Sequence, residues 1–526
     1  MAITSVNFLA FCILSVIIFV IFPPRYRWIP LLISSVAFYC LSLSDKKILI
    51  WIIVTSLTTW LAGRKLDSIA RNTEMALQKT GLEKEEEKRI RAHASKKRKT
   101  ILTVVLMLNI GILICFKLWN YYRKAFTIII GALSGYGTVN MAALIMPLGI
   151  SYYTFSTIGY ILDVYWKRYE SEKNFARYFL FAIYFPHILQ GPISRYSKLG
   201  QELKKPKLYF SWDNFVTGME SICLGCFKKL VIANRAGIFV ANTLTVENLH
   251  GSVYILALIL DAIQIYTDFS GYMDIVAGIS KIFDIELEPN FNHPFLAQNV
   301  PDFWRRWHMS LGSWFKDYVY YPITVSRGVK KLNKRVKNWK SPPLKKLMAV
   351  VIPVMVTWLL TGLWHGTGKG YVAWGIYWGI LITASVTFSE DMHKVLSKLS
   401  VNTECFSYRL FQTIKIFCIF IGGRFIGSIM GLSMRLSIIK SICTSLIDFD
   451  FLSYGLNEID FSIIFAGVAL LTAIAAIETK ENIFHWFNRQ NKLFCAVVLY
   501  VVIYAFFLLG IYGTGYDTST FMYQQF

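Results

Sequence analysis

Residues 347–366 read LMAVVIPVMVTWLLTGLWHG. The run is apolar over about the 20 residues that a bilayer-crossing helix needs, and it closes on Trp364, His365 and Gly366. No acidic residue stands within ten positions of His365 on either side. A segment of this kind has lipid as its solvent. The imidazole at its end either finds a hydrogen bond in packed protein, or the segment exists partly to hold it.

The rest of the chain repeats the pattern. It has 526 residues, 55% hydrophobic and 16% aromatic, with a mean hydropathy of +0.46. Charged residues make up 17%, against about 25% in ordinary soluble domains. Apolar runs recur at 6–22, 28–43, 48–62, 101–119, 141–161, 175–189, 253–266, 347–363, 371–388, 410–430, 461–477 and 493–512. The chain therefore reads as an all-α, polytopic integral membrane protein with roughly 11–14 membrane helices, the shorter runs being re-entrant or tilted. The first run lacks a basic leader and is followed at once by another. It reads as an uncleaved membrane helix. The nine cysteines are scattered, and Cys223 and Cys226 form one CxxC with no second pair, so no metal site is expected.

The formal net charge is +23, unevenly placed. Residues 64–100 hold twelve Lys/Arg against six Asp/Glu, and residues 327–346 hold nine Lys/Arg and no acid. Short basic loops stay in the cytoplasm. Three spans before residue 64 then put the N-terminus outside and the PPRYR loop (23–27) inside. These loops already have a membrane explanation, so nucleic acid is not an expected partner. Glu85 with Arg89, and Glu87 with Arg91, pair at i,i+4 and favour a solvated helix in the first basic segment.

PDFWRRWHMSLGSWFKDYVYYP (301–322) is unlike a span. Positions 304, 307, 308, 311, 314, 315 and 318 follow helical periodicity, with Arg305, Arg306, Ser310, Ser313, Lys316 and Asp317 opposite. The pattern predicts one amphipathic interfacial helix, with His308 on its inward stripe. A lone histidine on such a face is more often a satisfied core residue than a reactive one. Two polar clusters lie at membrane depth. In LDAIQIYTDFSGYMD (260–274), Asp261, Gln264 and Asp268 share a helix face. Intramembrane carboxylates face a cavity or a partner. PLGISYYTFSTIGYILDVY (147–165) sets Ser151, Tyr152, Thr154, Ser156 and Asp163 in an apolar frame. Both clusters fit a wet tunnel or plain interhelical hydrogen bonding.

FWRRWHMSLGSWFKDYVYYP, followed some forty residues later by TGLWHG, resembles the membrane-bound O-acyltransferase (MBOAT) family, and within it the alginate O-acetyltransferase branch. PLGISYYTFSTIGYILDVY, FPHILQGPISRY and QIYTDFSGYMDIVAGISKIFDIELEPNFNHPF precede these motifs in the family's order, and the C-terminal TFMYQQF resembles the branch's aromatic ending. The likeness is strong over 100–390. It leaves 1–526 as a single membrane domain, with a basic cytoplasmic segment at 64–100, the interfacial helix at 301–322 and further membrane helices at 391–526.

The resemblance implies an MBOAT fold around a tunnel, with His365 as the catalytic histidine and His308 as the second. The expected tunnel or substrate-binding residues are Trp304, Arg305, Trp307, Trp364, Asp268, Tyr152, Ser151 and Gln264. An imidazole near its ordinary pKa of about 6.5 can take a hydroxyl's proton and return it to a leaving thiolate. No GxSxG elbow suggests a covalent serine route. From Lys346 to His365 a straight helix rises roughly 30 Å at about 1.5 Å per residue, which puts His365 towards the outer face. Acetyl-CoA is the expected cytoplasmic donor, with no bound cofactor. A periplasmic or extracellular acyltransferase, or a small membrane partner, would pass the group to a cell-envelope polysaccharide. The expected location is a bacterial inner or plasma membrane. A D-alanyl transferase for teichoic acid, fed by an acyl-carrier protein, is the nearest alternative. A transporter or channel using Asp163, Asp261 and Asp268 is the alternative of another class.

Overall fold

The computed structural model describes residues 3–78, 83–134, 144–205, 210–428, 430–445, 447 and 450–512. TFMYQQF lies outside them. Among the described residues the chain is helical and contains no strand. Among the described residues eight helices are long and apolar enough to cross a membrane, fewer than the eleven to fourteen that the apolar runs suggest. The difference lies in helices too short for a full crossing, such as α1 (Val6–Ile21), α2 (Trp28–Ser42), α5 (Ile150–Tyr165) and α6 (Phe175–Ile183).

The chain forms two compact units. The first comprises Met1–Ser211 with Phe283–Glu288. It holds α1 and α2, α3 (Leu49–Leu77), α4 (Lys84–Ser134), α5 and α6. The predicted solvated helix and the span after it are one element, because α4 runs 51 residues without a break. Helix α5 buries 14 of its 16 residues. It starts from Gly149, whose φ of +67° suits glycine. A Cβ there would sit 1.9 Å from the Ile188 carbonyl oxygen, so the PLG turn packs directly on the FPHILQ loop. A tyrosine cluster closes the interior, with Tyr160 4.5 Å from Tyr178 and 5.0 Å from Tyr196 between ring centroids. Its polar ends are satisfied: Tyr178 shares a 2.7 Å hydrogen bond with Thr59, and Tyr196 donates to Glu172 at 2.5 Å.

The second unit comprises Trp212–Ile282 and Pro289–Phe526. It holds α7 (Trp212–Cys226), α8 (Asn234–Thr243), α9 (Gly251–Ile282), α10 (Val300–Arg306), α11 (Met309–Phe315), α12 (Tyr321–Thr324), α13 (Arg327–Val336), α14 (Pro342–His365), α15 (Lys369–Lys398), α16 (Phe406–Gly427), α17 (Leu432–Thr444), α18 (Glu458–Glu478), α19 (Ile483–Asn488) and α20 (Lys492–Leu509). Helix α9 carries three carboxylates, and each meets a cation. Arg424 of α16 grips Asp261 through two 2.9 Å hydrogen bonds. Lys229 pairs with Asp268, and Lys228 with Asp274 at 2.7 Å. Pairing is what makes such groups tolerable in an apolar segment.

The 301–322 segment is not one helix. It divides into α10, α11, a wider π turn at Lys316–Tyr320, and α12. The break is at His308, which adopts the left-handed conformation at φ +46° and ψ +53°. Hydrophobic periodicity is blind to this, because both halves bury the same stripe. Trp307, His308, Leu311, Trp314, Phe315 and Tyr318 are buried, and Trp304 is half-buried. Ser310, expected on the polar face, is buried as well.

Candidate active site

His365 is the last residue of α14 and is buried. Its position follows from the close packing of α14 on α15. A Cβ at Gly362 would lie 2.4 Å from the Tyr371 carbonyl oxygen, and one at Gly366 would lie 2.2 Å from the Tyr371 ring. Small residues on either side of His365 therefore let the start of α15 reach the imidazole. The His365 ring lies 4.9 Å from Trp364 and 5.1 Å from Trp374.

His308 reaches the same tryptophan by another route. Its ring centroid is 6.1 Å from that of Trp364 and 4.9 Å from that of Phe269 on α9. The turn that carries it is held by Asn290. The Asn290 side-chain oxygen accepts from the Ser310 backbone N–H at 3.0 Å and from the Ser310 hydroxyl at 2.8 Å. It also lies 3.2 Å from His308 Nδ1. The Met309 N–H donates to the Asn290 carbonyl at 2.9 Å, and the Asn292 N–H to the Arg306 carbonyl at 2.9 Å. These bonds stabilise a left-handed residue that has a Cβ.

The same contacts assign the tautomer. An oxygen that takes the Ser310 backbone N–H is a carbonyl oxygen and can only accept. His308 Nδ1 must then carry the proton, which makes Nε2 the basic nitrogen. Burial holds the imidazole down at about 3, so His308 is neutral at physiological pH. As a neutral ring it can accept a hydrogen bond.

A tryptophan cluster borders the pair. The Trp304 ring lies 4.6 Å from Trp358, 5.6 Å from Trp374 and 4.9 Å from Trp378. The indole N–H groups of Trp304 and Trp378 are buried and find no acceptor among the described residues. Trp374 touches both His365 and Trp304. Thus His308, His365, Trp364 and Trp304 are linked through one aromatic network.

The other expected site residues are placed as follows. Trp307 is buried among Tyr266, Phe291, Phe303 and Phe420. The Arg305 side chain is exposed and pairs with Asp302 at 3.2 Å. Asp268 is engaged by Lys229. The Gln264 amide lies against Gly237 of α8. Ser151 and Tyr152 belong to the first unit, where both are buried and the Tyr152 ring packs on Gly191. His187 of FPHILQ is buried there too, 5.5 Å from Tyr184. Asp163 is bound by Arg168 at 2.8 Å. Asn290 was not singled out by the sequence. Its one signal is that it is the first of two asparagines in the LEPNFNHPF loop, ahead of the histidine motif.

Residues 171–432 match the family model of the membrane-bound O-acyltransferases. The chain is 29% identical over 357 residues to the "Probable alginate O-acetylase AlgI" of Pseudomonas aeruginosa, covering 68% of this chain and 60% of that protein. It is 29% identical over 321 residues to the "Peptidoglycan O-acetyltransferase" of Helicobacter pylori, covering 56% of each. It is 33% identical over 267 residues to the "Teichoic acid D-alanyltransferase" of Bacillus subtilis, covering 49% of this chain and 63% of that protein. Each match thus spans less than two-thirds of the relative's length.

Proposed function

The chain belongs to the membrane-bound O-acyltransferase family, and from that membership we propose that it moves an acyl group from a cytoplasmic thioester to a hydroxyl across the membrane. The observation that carries the reading is the placement of two buried imidazoles against one indole, Trp364. His365 is the general base. It takes the acceptor hydroxyl's proton as the oxygen attacks the thioester carbonyl. The tetrahedral intermediate collapses by breaking the carbon–sulfur bond, and the thiolate leaves with the proton from His365. Such help is worth roughly 10²–10⁴ in rate. His308, neutral and aimed by Asn290, accepts a hydrogen bond at Nε2 from the acceptor hydroxyl and so orders it. The acidic side chains of α9 take no part, because they are occupied by Arg424 and lysines.

The acyl group is acetyl and the donor acetyl-CoA, in line with the similarity to two proteins named for O-acetyl transfer. A partner outside the membrane passes the group to a cell-envelope polysaccharide, and the setting is a bacterial inner or plasma membrane. The similarity to a teichoic acid D-alanyltransferase supports a second reading, in which an acyl-carrier protein delivers D-alanine to the basic cytoplasmic surface. The transporter reading loses its motive, since Asp163, Asp261 and Asp268 are all paired.

The test uses membranes expressing the chain together with its neighbouring genes, given radiolabelled acetyl-CoA, beside His365→Ala membranes of equal expression. Label reaching polysaccharide or a partner protein, and lost in the variant, supports acetyl transfer through His365. Equal labelling in both makes His365 a structural histidine. No labelling in the parent membranes shifts the donor to a carrier protein.

A further inference from the structure

The first unit contains a cavity that the transfer chemistry does not use. It has a volume of about 190 Å³ and lies at the α1–α2 turn, closed by the start of α6 and by residues 203–205 and 285. Arg25, Arg27, Arg177, Lys204 and Lys205 line it, and no carboxylate does. Phe19, Trp28 and Leu31 supply apolar walls.

Two of the cations, Arg27 and Arg177, are held in place, whereas Arg25 and Lys205 are exposed. Arg27 is 7% exposed. It donates to the carbonyls of Phe22 and Val20 at 3.2 and 3.4 Å and stacks on Phe19 at 5.3 Å. Carbonyl acceptors fix the guanidinium and leave its charge in place. Arg177 lies over Trp28 at 5.3 Å, and its buried Nε has no acceptor among the described residues. Lys204 and Lys205 are partly offset by Glu172 and Glu202, which stand outside the lining. A buried donor left unbonded is costly. An anion in the cavity would relieve that cost and the mutual repulsion together.

The geometry points to a binding site for a phosphate group attached to an apolar or aromatic body. Guanidinium groups match phosphate oxygens in fork geometry, and the cavity exceeds the roughly 30 Å³ of a single water. The PPRYR loop is cytoplasmic by the charge rule. Two sources share this chemistry on that side: an anionic lipid headgroup, and the nucleotide phosphates of a thioester donor. The site does not depend on the histidine mechanism, and its test involves no transfer.

The experiment uses the full-length protein and two probes. Coenzyme A binding is measured by isothermal titration in nanodiscs of neutral lipid. Retention of phosphatidylglycerol is measured by native mass spectrometry after detergent extraction. The variants are Arg177→Gln and Arg25→Gln/Arg177→Gln, with the exposed Lys96→Gln, outside the lining, as control. Gel filtration and thermal melting establish that each is folded. The double variant is expected to weaken one probe about tenfold or more, with the control unchanged. Loss of coenzyme A alone assigns the donor's phosphates, loss of phosphatidylglycerol alone assigns a headgroup, and loss of both supports a shared phosphate pocket. If the folded double variant holds both probes as the parent does, or if Lys96→Gln loses as much, the site is refuted.

Discussion

His308 and His365 meet at one tryptophan but rest on opposite kinds of backbone. His365 ends a 24-residue helix and is set by how closely α14 and α15 approach. His308 sits at a break, in a left-handed conformation, and is set by the side chain of Asn290 from another loop. Helix packing fixes where a ring is. The asparagine also fixes which nitrogen carries the proton. A group that must give and take a proton suits the first arrangement, and one that must stay in a single protonation state suits the second.

That contrast can be broken most directly at His365. His365→Ala should lower acyl transfer by about 10²–10⁴ without changing the melting temperature in detergent. A variant that transfers normally would erase the distinction. Asn290→Ala tests the other arm. It removes the shared acceptor of Ser310 and His308 and should cost about 1–3 kcal/mol of stability, with a loss of transfer that Ser310→Ala does not reproduce. Asn290→Asp keeps an acceptor oxygen and should recover part of the activity.

Packing around His365 is sharpened by a pair of glycines. Gly366→Ala forces a methyl to within 2.2 Å of the Tyr371 ring and should cost about 1–3 kcal/mol through overpacking. Gly312→Ala, whose nearest neighbour is 3.6 Å away, should instead be neutral or gain up to about 1 kcal/mol. Equal melting shifts for the two would mean that close approach does not position His365. The smallest effect concerns pH. His308 is held at about 3 by burial, below its ordinary value of about 6.5. Between those values the unfolded chain takes up a proton that the folded chain refuses. Stability from this group is full above pH 6.5 and declines as pH falls towards 3. His308→Gln removes that component, so the stability gap between parent and variant should narrow from pH 7.5 to pH 5.

How much of this was legible follows from the range of each signal. The all-α membrane class was readable, since apolar length is a local signal, and it was the resemblance carried by the WRRWH and GLWHG motifs that singled out His308 and His365. The His308 break was not. The i, i+3, i+4 stripe continues across it, and what turns the chain there is an amide eighteen residues upstream. The paired state of Asp268 was likewise hidden, because Lys229 lies 39 residues away in sequence. The sequence could say only that a buried carboxylate needs a partner. Trp307, placed by periodicity beside His308, proves to stack in the aromatic core.

The ion pairs of α9 also set a timetable. Lys228 and Lys229 leave the ribosome before α9 does, so Asp274 and Asp268 can enter the membrane already matched. Asp261 cannot, because Arg424 is 163 residues further on. At about 5–20 residues per second, that is a wait of roughly 8 to 30 s during synthesis. A lone aspartate in the middle of a membrane helix is disfavoured by about 2.5–3.5 kcal/mol at insertion. Until α16 arrives, α9 is expected to linger at the translocon or with an insertase. Shortening the chain before Arg424 should therefore yield a protein that is made and then degraded.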